Sequence, residues 1–276
     1  MIIWLASYPK SGNTWVRLFL DSLFTSSEEF NINQNFIQQF PLRSNFLGLT
    51  DNVNDQEEFA KYCIAAQQKL NLDNKIKIFK THNALWNWGG GKFSFTNENE
   101  TLGVIHIVRD PRNIVTSILN YFHKENYQNA IEFMKKDRVL GGNEDEHGLP
   151  TIIGSWSNHY QSWKKFKKNN LLIKYEDLLK KTEDEFLKIT NFLNSTANFK
   201  FDRNNIIKAI ENCKFENLSK QEDNFGFISN SDTNKLLNKK FFNLGPDNNW
   251  EKMLNKEYQE EIENLFGTEM KEMGYL

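Results

Sequence analysis

The feature that most restricts this chain lies at its start. An uninterrupted apolar run, Ile2-Ile3-Trp4-Leu5-Ala6, enters Ser7-Tyr8-Pro9-Lys10-Ser11-Gly12-Asn13-Thr14-Trp15, and a second apolar stretch, Val16–Phe24, follows at once. A short continuous apolar run is the pattern of a strand covered on both faces, as parallel strands are. Pro9 and Gly12 enforce a tight turn, and the second stretch reads as a helix. A strand, a short loop of small polar residues and a helix N-terminus make an anion site: the leading N–H groups lack intrahelical acceptors and the helix dipole favours negative charge. Lys10 adds a cation, and Ser11, Asn13 and Thr14 add side-chain donors. The pattern is not GxxxxGK[ST]; Lys10 precedes Gly12, whereas a Walker lysine follows its second glycine. So short a loop suits one terminal phosphate-like group better than a triphosphate. The same residues also suit an ordinary strand–helix turn with a surface lysine.

Three further runs repeat the buried-strand pattern: Ile76–Phe79, Val104–Val108 and Leu171–Ile173. Helical spacing fills the gaps. Phe59, Tyr62, Cys63, Ala66 and Leu70 recur on one face. Asp110 can cap a helix with Pro111 at its first position, and Ile114, Val115, Ile118 and Phe122 mark its apolar side. Ile153, Trp156, Tyr160, Trp163 and Phe166 form another stripe, and the last third is helical over Phe186–Leu193, Ile206–Ile210 and Tyr258–Met270. Strands alternating with helices predict an α/β fold with a central, mostly parallel sheet flanked by helices. The 276 residues, 39% of them hydrophobic, can build one large core. No linker or repeat marks a boundary, so a single domain over residues 1–276 is expected.

In such sheets ligands bind beyond the carboxyl ends of the strands. Polar residues stand at each of those ends. Lys80-Thr81-His82 follows the second run: a histidine beside an anion site can accept a proton, and a nearby lysine can offset charge on a transferring group. A histidine that merely caps the strand is the competing reading. Arg109 ends the third run, where a guanidinium can grip a phosphate, and Ser117 lies two turns into the following helix. A surface ion pair between Arg109 and Asp110 is the alternative. Tyr175-Glu176-Asp177 follows the fourth run, with its two acids suited to a helix start.

These segments, in this order, resemble the sulfotransferases that use 3′-phosphoadenosine 5′-phosphosulfate (PAPS). Tyr8–Trp15 is similar to their 5′-phosphosulfate loop. The resemblance implies that Lys10, Ser11, Gly12, Asn13 and Thr14 hold the phosphosulfate, that Lys10 steadies charge on the departing phosphate, and that Trp15 stacks on adenine. It implies His82 as general base, Lys80 as its electrostatic partner, and Arg109 with Ser117 as the 3′-phosphate site. Tyr175 would lie near the nucleotide, and Phe215, in Cys213–Leu218, would stack on the other adenine face unless it packs in the core. The implied fold is the P-loop-NTPase-like sulfotransferase fold, with PAPS as donor and PAP as product. The C-terminal segment departs from the family. An Arg-Lys-Gly-x-x-Gly-x-Trp pattern is usual there, but this chain reads Asn243-Leu244-Gly245-Pro246-Asp247-Asn248-Asn249-Trp250. Gly245 and Trp250 match; the two cations do not, and Lys239 and Lys240 are candidates to replace them. The family's dimerisation segment is not recognisable.

Charge and composition narrow the partners. A net charge of −2 argues against wholesale binding to nucleic acid or an anionic membrane. Cys63 and Cys213 form no metal or redox motif, no carboxylate cluster has metal spacing, and the N-terminus lacks a basic leader pattern. A cytoplasmic enzyme without a metal is expected, acting on a small-molecule or carbohydrate acceptor. The loop Asn83–Phe95, with Trp86 and Trp88, is a candidate acceptor pocket, and residues 24–54 and 141–150 are candidate lids. Two rival functions stay in view: a P-loop phosphoryl transferase, which would need a Walker sequence and a magnesium ligand, and a nucleotide-binding protein of the same fold without catalysis. His106 reads as a core residue, and His123, His147 and His159 carry no motif.

Overall fold

A computed structural model describes residues 1–25, 30–121, 126–142, 148–227 and 240–276. Strand β1 (Ile2–Ser7) is wholly buried and sits at the centre of a five-stranded sheet of order β2-β3-β1-β6-β9. Its neighbours are β3 (Lys77–Thr81) and β6 (Thr101–Val108); β2 (Gln38–Gln39) and β9 (Asn170–Lys174) form the edges. Every pairing in this sheet is parallel. The four apolar runs are therefore strands, and the expected α/β sheet is found, but β9 is not covered on both faces: it lies at an edge and buries only Ile173. β2 goes unseen in the sequence because two polar residues on an edge carry no periodic signal. Two short antiparallel ribbons also escape it, β4 (Asn87–Trp88) with β5 (Phe93–Ser94), and β7 (Val139–Leu140) with β8 (Thr151–Ile152).

Successive side chains of a strand point to opposite faces, and β1 shows the consequence. Ile3 and Leu5 enter a core with helices α1 (Asn13–Thr25), α6 (Tyr175–Lys180), α7 (Thr182–Ala197) and α8 (Arg203–Asn212), while Ile2, Trp4 and Ala6 enter one with α2 (Gln56–Asn71). A third cluster joins α3 (Pro111–Tyr121), α4 (Tyr127–Lys135), α5 (Trp156–Lys164) and the last helix, Lys256–Glu272. Asp110 starts α3 as predicted: its Oδ1 accepts from Arg112 N at 2.9 Å and its carbonyl from Ile114 N at 3.1 Å.

From β1 the chain runs to β2 and β3 on one side and then crosses over from β3 to β6 and β9 on the other, so the direction of winding reverses beside β1. The crevice outside the sheet at such a reversal is where α/β folds bind ligands. The loop after β1 lies there, between the ends of β3 and β6.

Candidate active site

The β1–α1 loop is held in an uncommon backbone. Lys10 has φ +68° and Gly12 φ +100°, both in the region L-residues avoid. Gly12 is required twice over, since a Cβ there would lie 2.5 Å from Tyr175 Cδ2. Gly12 O accepts from Trp15 N at 3.0 Å, closing the first turn of α1 and leaving the helix's leading N–H groups facing the loop. Arg109 crosses from β6 to donate from Nη1 to Lys10 O at 2.9 Å, and its guanidinium stacks 4.0 Å over the Tyr175 ring. Arg109 Nε is buried without a protein partner. Asp110 pairs with Arg112 and not with Arg109, which settles the alternative raised from sequence.

His82 stands where the β1–β3 register predicts, beside the end of β1. Its Nδ1 lies 2.8 Å from Ser7 O, and a carbonyl can only accept. Nδ1 therefore carries the hydrogen, and Nε2 keeps the lone pair a base needs. Asn13 braces this end of the strand, donating to Leu5 O at 3.0 Å and to Ser7 Oγ at 3.1 Å. Its side chain is thus committed inward, and what it offers an anion is its backbone N–H. Ser11 Oγ is likewise buried. Thr14 is half-buried at the start of α1.

Burial and neighbouring cations shift the titration of three groups at this end of the crevice. Burial, then the nearby Arg109 and Lys80, push the Lys10 ammonium down to about 7; burial and Arg17 do the same to Lys80. Burial and then Lys80 push His82 down to about 3. An anion placed beside these cations would raise them back toward their ordinary protonation. The sequence did not single out Arg17. It lies one turn beyond Thr14, pairs with Asp21 at 2.9 Å, and reaches Asn35 Oδ1 at 3.1 Å, tying α1 to the segment before β2.

The remaining predicted residues form the far side of the crevice. Trp15 Nε1 donates to Cys213 O at 2.9 Å, which fixes Trp15 at the junction of α8 and α9 (Phe215–Phe225). Phe215 opens α9, and Gly245 packs on it so closely that a Cβ would sit 2.3 Å from the ring. Asn248 then docks on α3, accepting from Thr116 Oγ1 at 2.7 Å and donating to Asn113 O at 3.1 Å. Ser117 is half-buried on the same helix. Lys240, offered as a replacement cation, is paired with Asp223 at 2.5 Å; Lys239 lies outside the described residues, as do His123 and His147. Glu176 does more than start a helix: its carboxylate accepts from Asp110 N and from Tyr275 OH, both at 3.0 Å, joining the ends of β6 and β9. Trp86 is core rather than pocket, 9% exposed and packed on Phe59 and Phe95.

The family model of the sulfotransferase domain matches residues 2–274. The chain belongs to the sulfotransferase family. Among curated relatives of this sulfotransferase are the amine sulfotransferase of Oryctolagus cuniculus, 21% identical over 98% of this chain and 81% of that protein, and the flavonol 3-sulfotransferase of Flaveria bidentis, 25% identical over 99% and 82%. Of solved structures, mouse sulfotransferase SULT7A1 complexed with PAP aligns over 98% of this chain and 84% of that one, with 20% identity and a TM-score of 0.59, which shows the shared fold. Among the described residues no cluster of His, Cys, Asp and Glu suits a metal, and no helix is long and apolar enough to cross a membrane.

Proposed function

We propose that this sulfotransferase takes its sulfuryl group from PAPS and passes it to a hydroxyl or amine of a small-molecule or sugar acceptor, with His82 as general base. The observation that carries this reading is the His82 tautomer. With Nδ1 committed to Ser7 O, Nε2 is an acceptor in the same cleft as two lysines that burial, aided by neighbouring cations, pushes down to about 7. Relatives with small-molecule names, and a homologous structure complexed with PAP, favour the same donor and acceptor classes.

The donor supplies a sulfuryl group joined to a 5′-phosphate. Lys10, the loop N–H groups and the α1 N-terminus hold the phosphosulfate; Trp15 and Phe215 take the adenine; Arg109, Ser117 and the Gly245 backbone hold the 3′-phosphate, with Tyr175 backing Arg109. The acceptor's bond to sulfur forms as the bond from sulfur to the phosphate oxygen breaks. That electron pair leaves with the phosphate, where Lys10 stabilises it, and the acceptor proton passes to His82 Nε2. Lys80 offsets charge on the sulfuryl oxygens. Positioning and electrostatics carry such a transfer, with no metal in it. One domain holds the whole site, and the cytoplasm is the proposed location.

The test is transfer of sulfur label from PAPS to a panel of phenols, alcohols, amines and sugars. Labelled product from the wild type, reduced ~10²–10⁴-fold in His82→Ala, supports the reading. Tight PAP binding with no transfer to any acceptor would favour the rival reading, a nucleotide-binding protein of this fold without catalysis.

A further inference from the structure

Between the loop and α5 lies a small cavity lined by Tyr8, Ser11, His106, Trp156, His159 and Tyr160, among others. Its free space of about 10 Å³ matches one water molecule. Three polar atoms at this place have no protein partner: Tyr8 Oη, Ser11 Oγ and His159 Nε2. Tyr8 is 3% exposed, and Ser11 and His159 are 1% exposed. Orphaned polar atoms so deeply buried are uncommon and call for a partner. The three differ in what they can do. Burial, with His106 and His82 nearby, keeps the His159 imidazole neutral, so an unpartnered ring nitrogen can accept. Tyr8 Oη can donate, and Ser11 Oγ can do either.

Tyr8 and Ser11 flank Lys10 in the loop. His159, on α5, meets Tyr8 edge-on with centroids 5.7 Å apart, and its ring lies near the His82 backbone. We propose that a single buried water bridges Tyr8 Oη, Ser11 Oγ and His159 Nε2, and that through it His159 is a positioning residue, setting the phosphosulfate loop against the backbone that carries His82. The water accepts from Tyr8 and donates to His159 and Ser11, so all three orphaned atoms are satisfied by one molecule. This rests on the reading of His82 as base and of the loop as donor site.

Two measurements separate this inference from that reading. The first is a crystal structure of the wild type at high resolution: one ordered water within hydrogen-bonding distance of all three atoms is expected, and a dry cavity overturns the proposal whatever the enzyme does. The second is a double-mutant cycle of Tyr8→Phe and His159→Phe, read in PAP affinity and in kcat. Each single variant is expected to weaken PAP binding and lower kcat about tenfold, and the double variant is expected to be little worse than either. His159→Gln, which keeps an acceptor near the Nε2 position, is expected to recover part of the loss. Multiplicative effects in the double variant overturn the proposal, as does a lower melting temperature with PAP affinity and kcat untouched. If wild-type protein binds no PAP, the functional reading fails and the crystallographic water alone decides this one.

Discussion

The two ends of the crevice are built differently. At the sulfuryl end the main chain does the work: Lys10 and Gly12 in the left-handed region, Gly12 against Tyr175, Arg109 bonded to the Lys10 carbonyl and His82 to the Ser7 carbonyl. These parts come from β1, β3 and β6, adjacent strands in one sheet. At the nucleotide's far end the parts come from the C-terminal third: Phe215 on α9, and a segment around Gly245 fastened to α3 through Asn248. A backbone-built site tolerates no local change, whereas a site assembled from docked segments degrades by steps. The departures from the family pattern, Asn243 and Leu244, fall at the second end.

The largest expected effect lies at the first end. Lys10→Ala should lower kcat by ~10²–10⁴-fold in the labelled-transfer assay, because it removes charge stabilisation no neighbour duplicates. A loss under tenfold would show that Lys80 or Arg109 substitutes for it. Gly245→Ala probes the other end. It puts a Cβ into the Phe215 ring at φ +48°, so the ring must move. PAP affinity should fall about tenfold with kcat at saturating donor nearly unchanged. An equal fall in kcat would mean the two ends are coupled.

Acid–base behaviour sharpens the comparison further. The lysine shifts belong to the first end, since Lys10 and Lys80 both sit at about 7 against an ordinary 10.5. A depressed folded-state pKa means the unfolded chain binds more protons between those values. The free protein should therefore gain stability as pH rises from about 7 to 10.5, and lose that gain as pH falls back through 7. A bound anion reverses the shift. At pH ~8 PAP binding should take up protons, approaching about one from Lys10, read from calorimetry in buffers of different ionisation enthalpy. No uptake would show that the 5′-phosphate does not sit against Lys10. The smallest effect is expected from Asn243→Arg with Leu244→Lys: about a tenfold gain in affinity for PAP over ADP, through charge-assisted bonds at the far end.

Legibility in the sequence follows the same division. Continuous apolar runs exposed the buried strands, and the caps exposed the start of α3, because both signals are local. The β1–α1 loop was legible because its function is written in consecutive residues. What lay hidden depends on contacts across the chain. Arg17 and His159 have no motif; one is drawn into the site by Asp21 and the segment before β2, the other by Tyr8. Trp86 looked like pocket lining and is core, because a short ribbon turns it inward against Phe95. Asn13 looked like a ligand side chain and instead braces β1.

As proposed, this crevice is built for a nucleotide carrying both a 5′- and a 3′-phosphate. Calorimetric binding of PAP against ADP and AMP, on wild type and on Arg109→Ala, tests it most directly. PAP is expected to bind tightly, ADP and AMP at least tenfold more weakly, and the variant to lose that preference. Equal affinity for all three nucleotides in the wild type would contradict it.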